Sequence, residues 1–325
     1  MADIFDLAAT NLLSPVILSF VLGLVAALGR SDLSVPEAAA KAMSIYLLFA
    51  IGFKGGAAVA SNGLDATLVA TLVAGFVLSA VLPFIAFAML RVLTNLSRID
   101  AAAVAGHYGS ISIVTFVAAT SVLEGRAISS EGYMVAVAAV MEAPAILSAL
   151  WLVSRGGSGR RMDSELMREI MLNGSIVLLV GAFVIGAITG QEGLDKVSNF
   201  IVAPFTGVLC LFLLDMGLVA GRGLRESRGV LNMGAVAFGI IMPLVGSVFG
   251  LGAGLLIGLS PGGIALLMVL SASASYIAVP AAMRVALPEA NPSVYLTLSL
   301  GVTFPFNLTI GIPLYVAVSQ ALTGG

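Results

Sequence analysis

The chain has 325 residues, of which 59% are hydrophobic and 10% charged, and its mean hydropathy is +1.11. A soluble globular chain carries roughly 25% charged residues, so this composition excludes a soluble protein and predicts a polytopic membrane protein surrounded by lipid. The formal net charge of −2 comes without a basic cluster, which excludes nucleic acid as a partner, and the lone Cys210 excludes an intrachain disulfide.

Ten stretches of the chain are apolar over about 20 residues, the length that crosses a bilayer core as a helix. In chain order they are 12–28, 36–59, 66–92, 101–123, 132–153, 171–188, 200–219, 230–256, 262–287 and 294–321. The predicted fold is therefore an all-α polytopic membrane protein with ten transmembrane helices, of which the fourth and the ninth are broken. The sequence contains no glycine-rich phosphate loop ending in Lys-Ser or Lys-Thr, so nucleotide hydrolysis is not expected to drive it.

The segment 154–170 is the one polar stretch between spans that is long enough to act as a linker, and it separates five predicted helices from five. An odd number of helices in a repeat places the second repeat upside down relative to the first. The predicted organisation is a five-helix repeat at 1–153, a cytoplasmic linker at 154–170 and an inverted five-helix repeat at 171–325. Helices 3–5 and 8–10 are predicted to form a core that carries the site, and helices 1, 2, 6 and 7 a gate.

Basic residues are divided unevenly between the predicted loops. The loops that follow spans 1, 3, 5, 7 and 9 contain Arg30, Arg91, Arg98, Arg155, Arg160, Arg161, Arg168, Arg222, Arg225, Arg228 and Arg284. The alternate loops contain only Arg126 and Lys196. Because the cytoplasmic loops of membrane proteins collect Lys and Arg, the first set is predicted to be cytoplasmic, which places both termini outside.

Two serine-rich segments interrupt the apolar sequence at matching places in the two halves. Residues 106–115 read GHYGSISIVT and residues 271–280 read SASASYIAVP, and a shift of about 163 positions aligns Ser110 with Ser273 and Ser112 with Ser275. A helix broken in mid-membrane offers free N–H groups and a partial positive charge where its second half begins, and hydroxyls add donors. The pattern predicts a site for a small oxyanion, while serines that only help helices to pack are the alternative.

Glu142 is an ionisable residue in the middle of a predicted span. Placing such a side chain at the centre of a membrane-spanning helix costs about 2.5–3.5 kcal/mol on the membrane-insertion scale. Because of this cost, its presence indicates a function. The corresponding part of span 10 carries Thr303 and Asn307, and oxygen ligands of these three kinds suit Na⁺. We predict a sodium site formed by Glu142, Thr303 and Asn307, and an ion pair of Glu142 with Lys54 that only joins helices is the open alternative.

Lys54 and His107 are candidates for gating. Lys54 lies at the end of span 2, where an ion pair with Asp215 or a reach toward the membrane surface is the simpler interpretation. His107 is the only histidine and precedes the first serine run, so it could take up a proton, although a buried histidine more often only donates to a backbone carbonyl.

With these residues identified, the chain resembles the sodium-dependent bicarbonate transporter family known from cyanobacteria, and it looks like a member of a wider bacterial branch. The resemblance covers nearly the whole chain and is most specific at 106–115, 272–284, 288–295 and 311–315. It implies ten helices in a core and a gate domain, a homotrimer in the bacterial inner membrane, Na⁺-driven uptake and regulation by a PII-like cytoplasmic protein. By position, it places the substrate-binding residues at Ser110, Ser112, Thr115, Ser273 and Ser275, and Tyr276 follows directly as a further candidate.

The leading hypothesis is a secondary active transporter for sodium-coupled uptake of bicarbonate or a similar small anion by alternating access. A sodium- or proton-coupled symporter of another small anion, such as a carboxylate, is the alternative, and a channel fits the paired breaks less well. A remote alternative is an intramembrane serine hydrolase that uses Ser110 or Ser112 with His107, although no G-x-S-x-G motif surrounds either serine. The prediction is thus no enzyme and no organic cofactor, with Na⁺ as the coupling ion.

Overall fold

The computed structural model of the chain describes residues 13–62, 66–154, 174–226, 232–276 and 287–323, and the single positions 168, 172, 279, 280 and 283. Over these ranges the chain is mostly helical and contains no strand. Eight helices within the same ranges are long and apolar enough to cross a membrane, and Pro15–Leu28 and Pro261–Ala272 are apolar but shorter. In the part of the chain that the structure describes, the protein is therefore an all-helical, multi-pass membrane protein.

The helices are labelled α1 to α12 in chain order. They are α1 (Pro15–Leu28), α2 (Glu37–Asn62), α3 (Ala66–Leu93), α4 (Arg98–Gly109), α5 (Ile113–Gly125), α6 (Met134–Val140), α7 (Glu142–Ser154), α8 (Gly174–Ile201), α9 (Phe205–Glu226), α10 (Met233–Ile257), α11 (Pro261–Ala272) and α12 (Pro292–Thr323). Helix α12 includes two π-helical stretches, Thr297–Thr303 and Asn307–Gly311. Every predicted span overlaps one or two of these helices.

Helix α8 consists of two helical segments that meet at Gly190, whose φ of 60° and ψ of −156° are not helical. The predicted end of span 6, residue 188, lies two residues before this kink. The second segment continues to Ile201 and carries an exposed Lys196–Glu192 ion pair one turn apart (2.7 Å). Hydropathy located the end of the apolar segment but did not predict the polar helix that follows it.

Three predicted features lie mostly outside the described residues. They are the segment before residue 13, the linker at 154–170 and the second half of span 9, of which Val279, Pro280 and Met283 are described. Several of the arginines on which the predicted membrane orientation rests also lie outside the described residues, namely Arg155, Arg160, Arg161, Arg228 and Arg284. The orientation of the chain in the membrane therefore stays a prediction.

Short polar side chains fix where several helices begin. Ser97 Oγ accepts a hydrogen bond from Asp100 N (3.0 Å) at the start of α4, and Ser260 Oγ accepts one from Gly263 N (3.1 Å) at the start of α11. Ser14 caps α1 in the same way. Each cap satisfies an N–H group that has no partner within its own helix, so these residues specify the helix starts.

Helix α2 packs against α8, and α1 packs against α9, through glycine residues. A Cβ atom at Gly56 would overlap the carbonyl oxygen of Phe183, and one at Gly217 would overlap that of Phe20. Only glycine permits backbones to approach this closely, and such packing is a main attraction between helices in lipid. Because α9 also contacts α2, these four helices form one packed group.

The remaining helices surround the two serine-rich segments. Helices α3, α4 and α7 pack on one another, α11 packs on α10 and α12, and α10 contacts α3. In Arg98–Gly125, which contains the first serine run, an 18-residue apolar window is 100% buried by protein, whereas the window in Ile176–Ile201 is 17% buried. The helices α4 and α5 therefore lie inside the protein, and α8 lies at its outer edge.

Candidate functional site

The first serine-rich segment interrupts the helix where the sequence predicts a break. Helix α4 ends at Gly109, Ser110 is extended (φ −83°, ψ 177°) and α5 begins at Ile113. Ser112 caps α5, since its Oγ accepts hydrogen bonds from Thr115 N (3.1 Å) and Thr115 Oγ1 (2.8 Å). Helix α5 thus begins in the protein interior, and its first N–H groups lie at the break.

The second serine-rich segment interrupts the chain in a similar way. Helix α11 ends at Ala272, and Ser273 to Ser275 are not helical, with Ser273 at φ −89° and ψ 164°. Ser275 Oγ accepts a hydrogen bond from Val279 N (3.4 Å), four residues further along the chain. Val279 is itself helical, and most of the residues after it lie outside the described ranges.

The two breaks are in direct contact. Ser112 N donates to Ser273 Oγ at 2.9 Å, although the two residues are 161 positions apart in the chain. Ser275 N donates to His107 O at 2.8 Å, and His107 Nδ1 lies 2.5 Å from Ser275 O. All four residues are buried. The structure therefore brings Ser112, Ser273, Ser275 and His107 into one cluster.

Several polar atoms at the breaks are buried without a hydrogen-bond partner among the described residues. They are His107 Nε2, Ser110 Oγ and Ser271 Oγ. An unpaired buried polar atom costs about 1–3 kcal/mol, and native proteins pair most of them. Their concentration here indicates a place where a polar ligand or water supplies the missing partners. The N-terminus of α5 adds partial positive charge, which favours an anion.

Thr115 and Tyr276 flank the contact between the breaks. Thr115 is buried in the first turn of α5 and is bonded to Ser112. Tyr276 is also buried, and its ring lies edge-on to that of Phe304 in α12, with 5.4 Å between the ring centres. Tyr276 therefore attaches the second break to α12.

Thr303 and Asn307 lie on α12 beside the breaks. Thr303 Oγ1 donates to Gly239 O (2.6 Å), so the Tyr108 hydroxyl, which is also 2.6 Å away, donates to Thr303 Oγ1. Asn307 Nδ2 donates to Ala272 O (2.8 Å), the last carbonyl of α11. Both residues lie at the ends of π-helical stretches, which are frequent at functional sites.

Glu142 begins α7 and is buried, and its Oε2 atom has no hydrogen-bond partner in the part of the chain that the structure describes. Helices α4 and α7 run antiparallel, because Arg98 Nη2 at the start of α4 donates to Leu152 O near the end of α7 (3.2 Å). Gly106 of α4 packs against Ala149. Since Glu142 lies two turns before Ala149 on the same helix face, it lies near the level of the first break.

The three residues predicted to bind sodium are not joined by hydrogen bonds in the described ranges. Thr303 and Asn307 share α12, whereas Glu142 belongs to α7. The described residues also contain no cluster of three or more His, Cys, Asp or Glu that could hold a metal ion. A sodium ion bound by all three residues would take oxygen ligands from both α7 and α12. No contact in the described residues tests this arrangement, and the sodium site stays a prediction.

Lys54 forms an ion pair with Glu124 at 2.6 Å. This contact overturns both ion pairs considered from the sequence, Lys54 with Glu142 and Lys54 with Asp215. The pair joins α2 to the end of α5 beside a cavity of about 260 Å³, and Lys54 Nζ lies 5.5 Å from the centre of the Phe205 ring. Lys54 thus connects the glycine-packed group to the broken helix, which is a suitable position for a gating residue.

Two carboxylates that the sequence analysis missed form hydrogen bonds at the ends of α4 and α11 that lie away from the breaks. Asp100 Oδ1 accepts a hydrogen bond from Asn291 N (2.8 Å) ahead of α12. Glu131 Oε1, in the loop ahead of α6, accepts one from Ser260 N (2.7 Å) ahead of α11. The Ser97-x-x-Asp100 spacing is a recognisable helix-start signal, but it does not identify the distant partner.

A serine hydrolase would need a hydrogen bond between a serine hydroxyl and His107. His107 Nδ1 instead contacts a backbone carbonyl, and Nε2 has no partner among the described residues. The Ser112 hydroxyl is engaged by Thr115. The contact between nucleophile and base is therefore not formed.

A sequence profile of the Na⁺-dependent bicarbonate transporter superfamily matches residues 15–320. The match covers most of the chain, so the chain belongs to this superfamily, and the resemblance seen in its motifs is confirmed. No curated protein matches the chain. Membership in the superfamily supports a transport function for the serine-rich site.

Proposed function

We propose that this member of the superfamily is a secondary transporter that carries bicarbonate, or a similar small anion, into the cell together with Na⁺ by alternating access. The observation that supports the proposal most is the bond between the two breaks, from Ser112 N to Ser273 Oγ at 2.9 Å. If a second half-helix follows each break, both half-helices would direct their N-termini at one small ligand.

The proposed anion site lies between the breaks and uses neutral donors. The segments 106–115 and 271–280 contain no Lys or Arg, so N–H groups, hydroxyls and helix dipoles must supply the attraction. Ser110 and Ser271 contribute hydroxyls that have no other partner in the described ranges. A site without a fixed cation suits a transporter, since the ligand must leave on the other side of the membrane.

The proposed sodium site lies beside the anion site and uses Thr303, Asn307 and the carboxylate of Glu142. The cation would offset the charge of the anion in a region where charged groups are costly. Asn307 already contacts the last residue of α11, and Glu142 lies near the level of the first break. Each ion would then improve the binding of the other, which is the coupling that symport needs.

The proposed architecture is ten transmembrane helices in two inverted five-helix repeats. The serine runs repeat after about 163 positions, and the glycines of α2 and α9 repeat similarly, since Gly217 follows Gly52 by 165 positions and Gly221 follows Gly56 by 165. We propose that α1, α2, α8 and α9 form a gate and that the other helices form a core that moves against it. The Lys54–Glu124 pair would join gate and core at the outer face.

The proposed setting is the one that the resemblance implies. The chain would lie in a bacterial inner membrane with both termini outside, as a homotrimer that a PII-like cytoplasmic protein can regulate. The uneven distribution of arginine over the loops supports the orientation.

The proposal is tested by uptake into liposomes that contain the purified protein. Labelled bicarbonate should accumulate when an inward Na⁺ gradient is imposed, and accumulation should fall to the level of empty liposomes when K⁺ replaces Na⁺. Uptake driven only by a proton gradient, or uptake of a labelled small carboxylate in preference to bicarbonate, would contradict the proposal and favour the alternative symporter.

A further inference from the structure

The His107 side chain connects the two breaks. It belongs to the last turn of α4, its Nδ1 atom lies 2.5 Å from Ser275 O in the second break, and its main-chain oxygen accepts from Ser275 N (2.8 Å). The ring is fully buried and stacks on Tyr295 of α12, with 4.5 Å between the ring centres. The orientation of the imidazole is therefore fixed by two independent contacts.

These contacts also determine which nitrogen carries the hydrogen. A backbone carbonyl oxygen only accepts hydrogen bonds, so His107 Nδ1 must be the donor to Ser275 O. A doubly protonated ring would place a second N–H group at Nε2, where the described residues offer no acceptor. The neutral ring then carries a lone pair at Nε2, a buried acceptor for which the described residues supply no donor.

This lone pair differs from the other polar groups of the two breaks. The N-terminus of α5 supplies donors, and the hydroxyls of Ser110 and Ser271 can either donate or accept. Nε2 can only accept. It would therefore attract the hydrogen of a ligand and repel a bare anionic oxygen in the same place.

We propose that His107 Nε2 accepts a hydrogen bond from a hydroxyl group of the bound anion, and that it thereby selects singly protonated oxyanions such as bicarbonate over aprotic anions. The inference rests on the proposed function, because it assumes that the anion binds between the breaks. A site built to bond a ligand hydroxyl rejects an analogue that lacks it, since the buried acceptor is then left unpaired.

Nitrate is a suitable probe, because it has the planar shape and the single charge of bicarbonate but no hydrogen. Uptake of labelled bicarbonate into liposomes would be measured at mildly alkaline pH with increasing nitrate. In the wild-type protein we expect nitrate to compete roughly tenfold to hundredfold more weakly than unlabelled bicarbonate. If nitrate and unlabelled bicarbonate compete equally well in the wild-type protein, that result alone overturns the inference.

Two variants separate the roles of the ring nitrogens. H107N places an amide near the position of Nδ1 and should keep the contact with Ser275 O, whereas H107Q places an amide near the position of Nε2 and can still offer an acceptor. We expect H107N to bring the affinities for bicarbonate and nitrate close together, and H107Q to keep part of the preference. An unchanged preference in H107N would also overturn the inference.

The same experiment distinguishes this inference from the proposed function. If the wild-type protein takes up no bicarbonate, the proposed function fails. If it takes up bicarbonate with Na⁺ but nitrate competes equally, the proposed function stands and only the role of His107 fails.

Discussion

The broken helix α4–α5 and the helix α8 are both apolar enough to cross a membrane, but their surroundings are opposite. A membrane-length window is 100% buried by protein in the former and 17% buried in the latter. Helix α4 and its break carry Gly, Ser, His and Tyr, whereas the exposed face of α8 carries side chains such as Val184 and Ile188. In lipid, every backbone N–H and C=O group needs a hydrogen-bond partner within the helix, whereas surrounding protein can supply partners to the free groups at a break. The polar groups of the proposed site therefore lie where protein, and not lipid, surrounds the helix.

The largest expected effect comes from the charge of Glu142. We expect Glu142→Gln to abolish the stimulation of bicarbonate uptake by Na⁺, because a neutral amide cannot supply a carboxylate ligand, while anion binding is weakened less. Uptake as a function of Na⁺ concentration measures this directly.

The matched control for Glu142 is Glu192→Gln on the exposed polar end of α8, which should leave uptake unchanged. If the Na⁺ response of Glu142→Gln is normal and only the melting temperature falls, Glu142 has a structural role and the proposed sodium site is wrong.

The next largest effect concerns the serines at the breaks. Ser112→Ala and Ser275→Ala should each weaken bicarbonate binding by roughly 1–3 kcal/mol, since each removes a buried hydroxyl at the proposed site: that of Ser112 caps α5, and that of Ser275 accepts from Val279 N. Isothermal titration of the purified protein gives the affinities. Ser319→Ala is the control, because the Ser319 hydroxyl is also buried but donates to Val316 O of its own helix α12 (2.9 Å). If both break variants bind bicarbonate with wild-type affinity, the anion does not bind at this position.

A smaller effect is expected at the junction between the two helix groups. The Lys54–Glu124 pair is partly exposed, with 28% and 53% of the two side chains accessible, so its contribution to stability should be below about 1 kcal/mol. Its effect should appear in the uptake rate. We expect Lys54→Glu and Glu124→Lys to alter the rate individually and the exchanged pair to restore it. Failure of the exchange to restore the rate would exclude a gating contact between these residues.

The smallest effect is expected on the outer face of α8. Ile188 is 78% exposed, so Ile188→Ala removes little packing and should change stability by no more than about 0.5 kcal/mol and leave uptake unaffected. Thermal unfolding in detergent and the uptake assay test this. A large loss of uptake would mean that this face contacts another protein rather than lipid.

The breaks could be predicted from the sequence because their signal is local. Serine and glycine runs interrupt otherwise apolar stretches, and the structure places non-helical residues at Ser110 and at Ser273. The starts of α4 and α11 carry a local signal too, since Ser97 and Ser260 cap them, but the prediction from apolar stretches did not use it and began these spans at residues 101 and 262.

The partners of charged side chains could not be predicted, because they depend on how distant helices pack. Lys54 bonds to Glu124, 70 positions away, rather than to Glu142 or Asp215. The π-helical stretches of α12 were also missed, because an extra residue in a helical turn leaves no mark on composition or hydropathy.

The central claim is that the two breaks bind a single anion, and a double-mutant cycle on bicarbonate affinity tests it most directly. Ser112→Ala, Ser275→Ala and the double variant would be titrated with bicarbonate under identical conditions. If both residues act on one ligand, the two losses should be coupled by roughly 0.5–3 kcal/mol. Losses that add to within about 0.3–0.5 kcal/mol would mean that the serines act independently, and they would contradict the account.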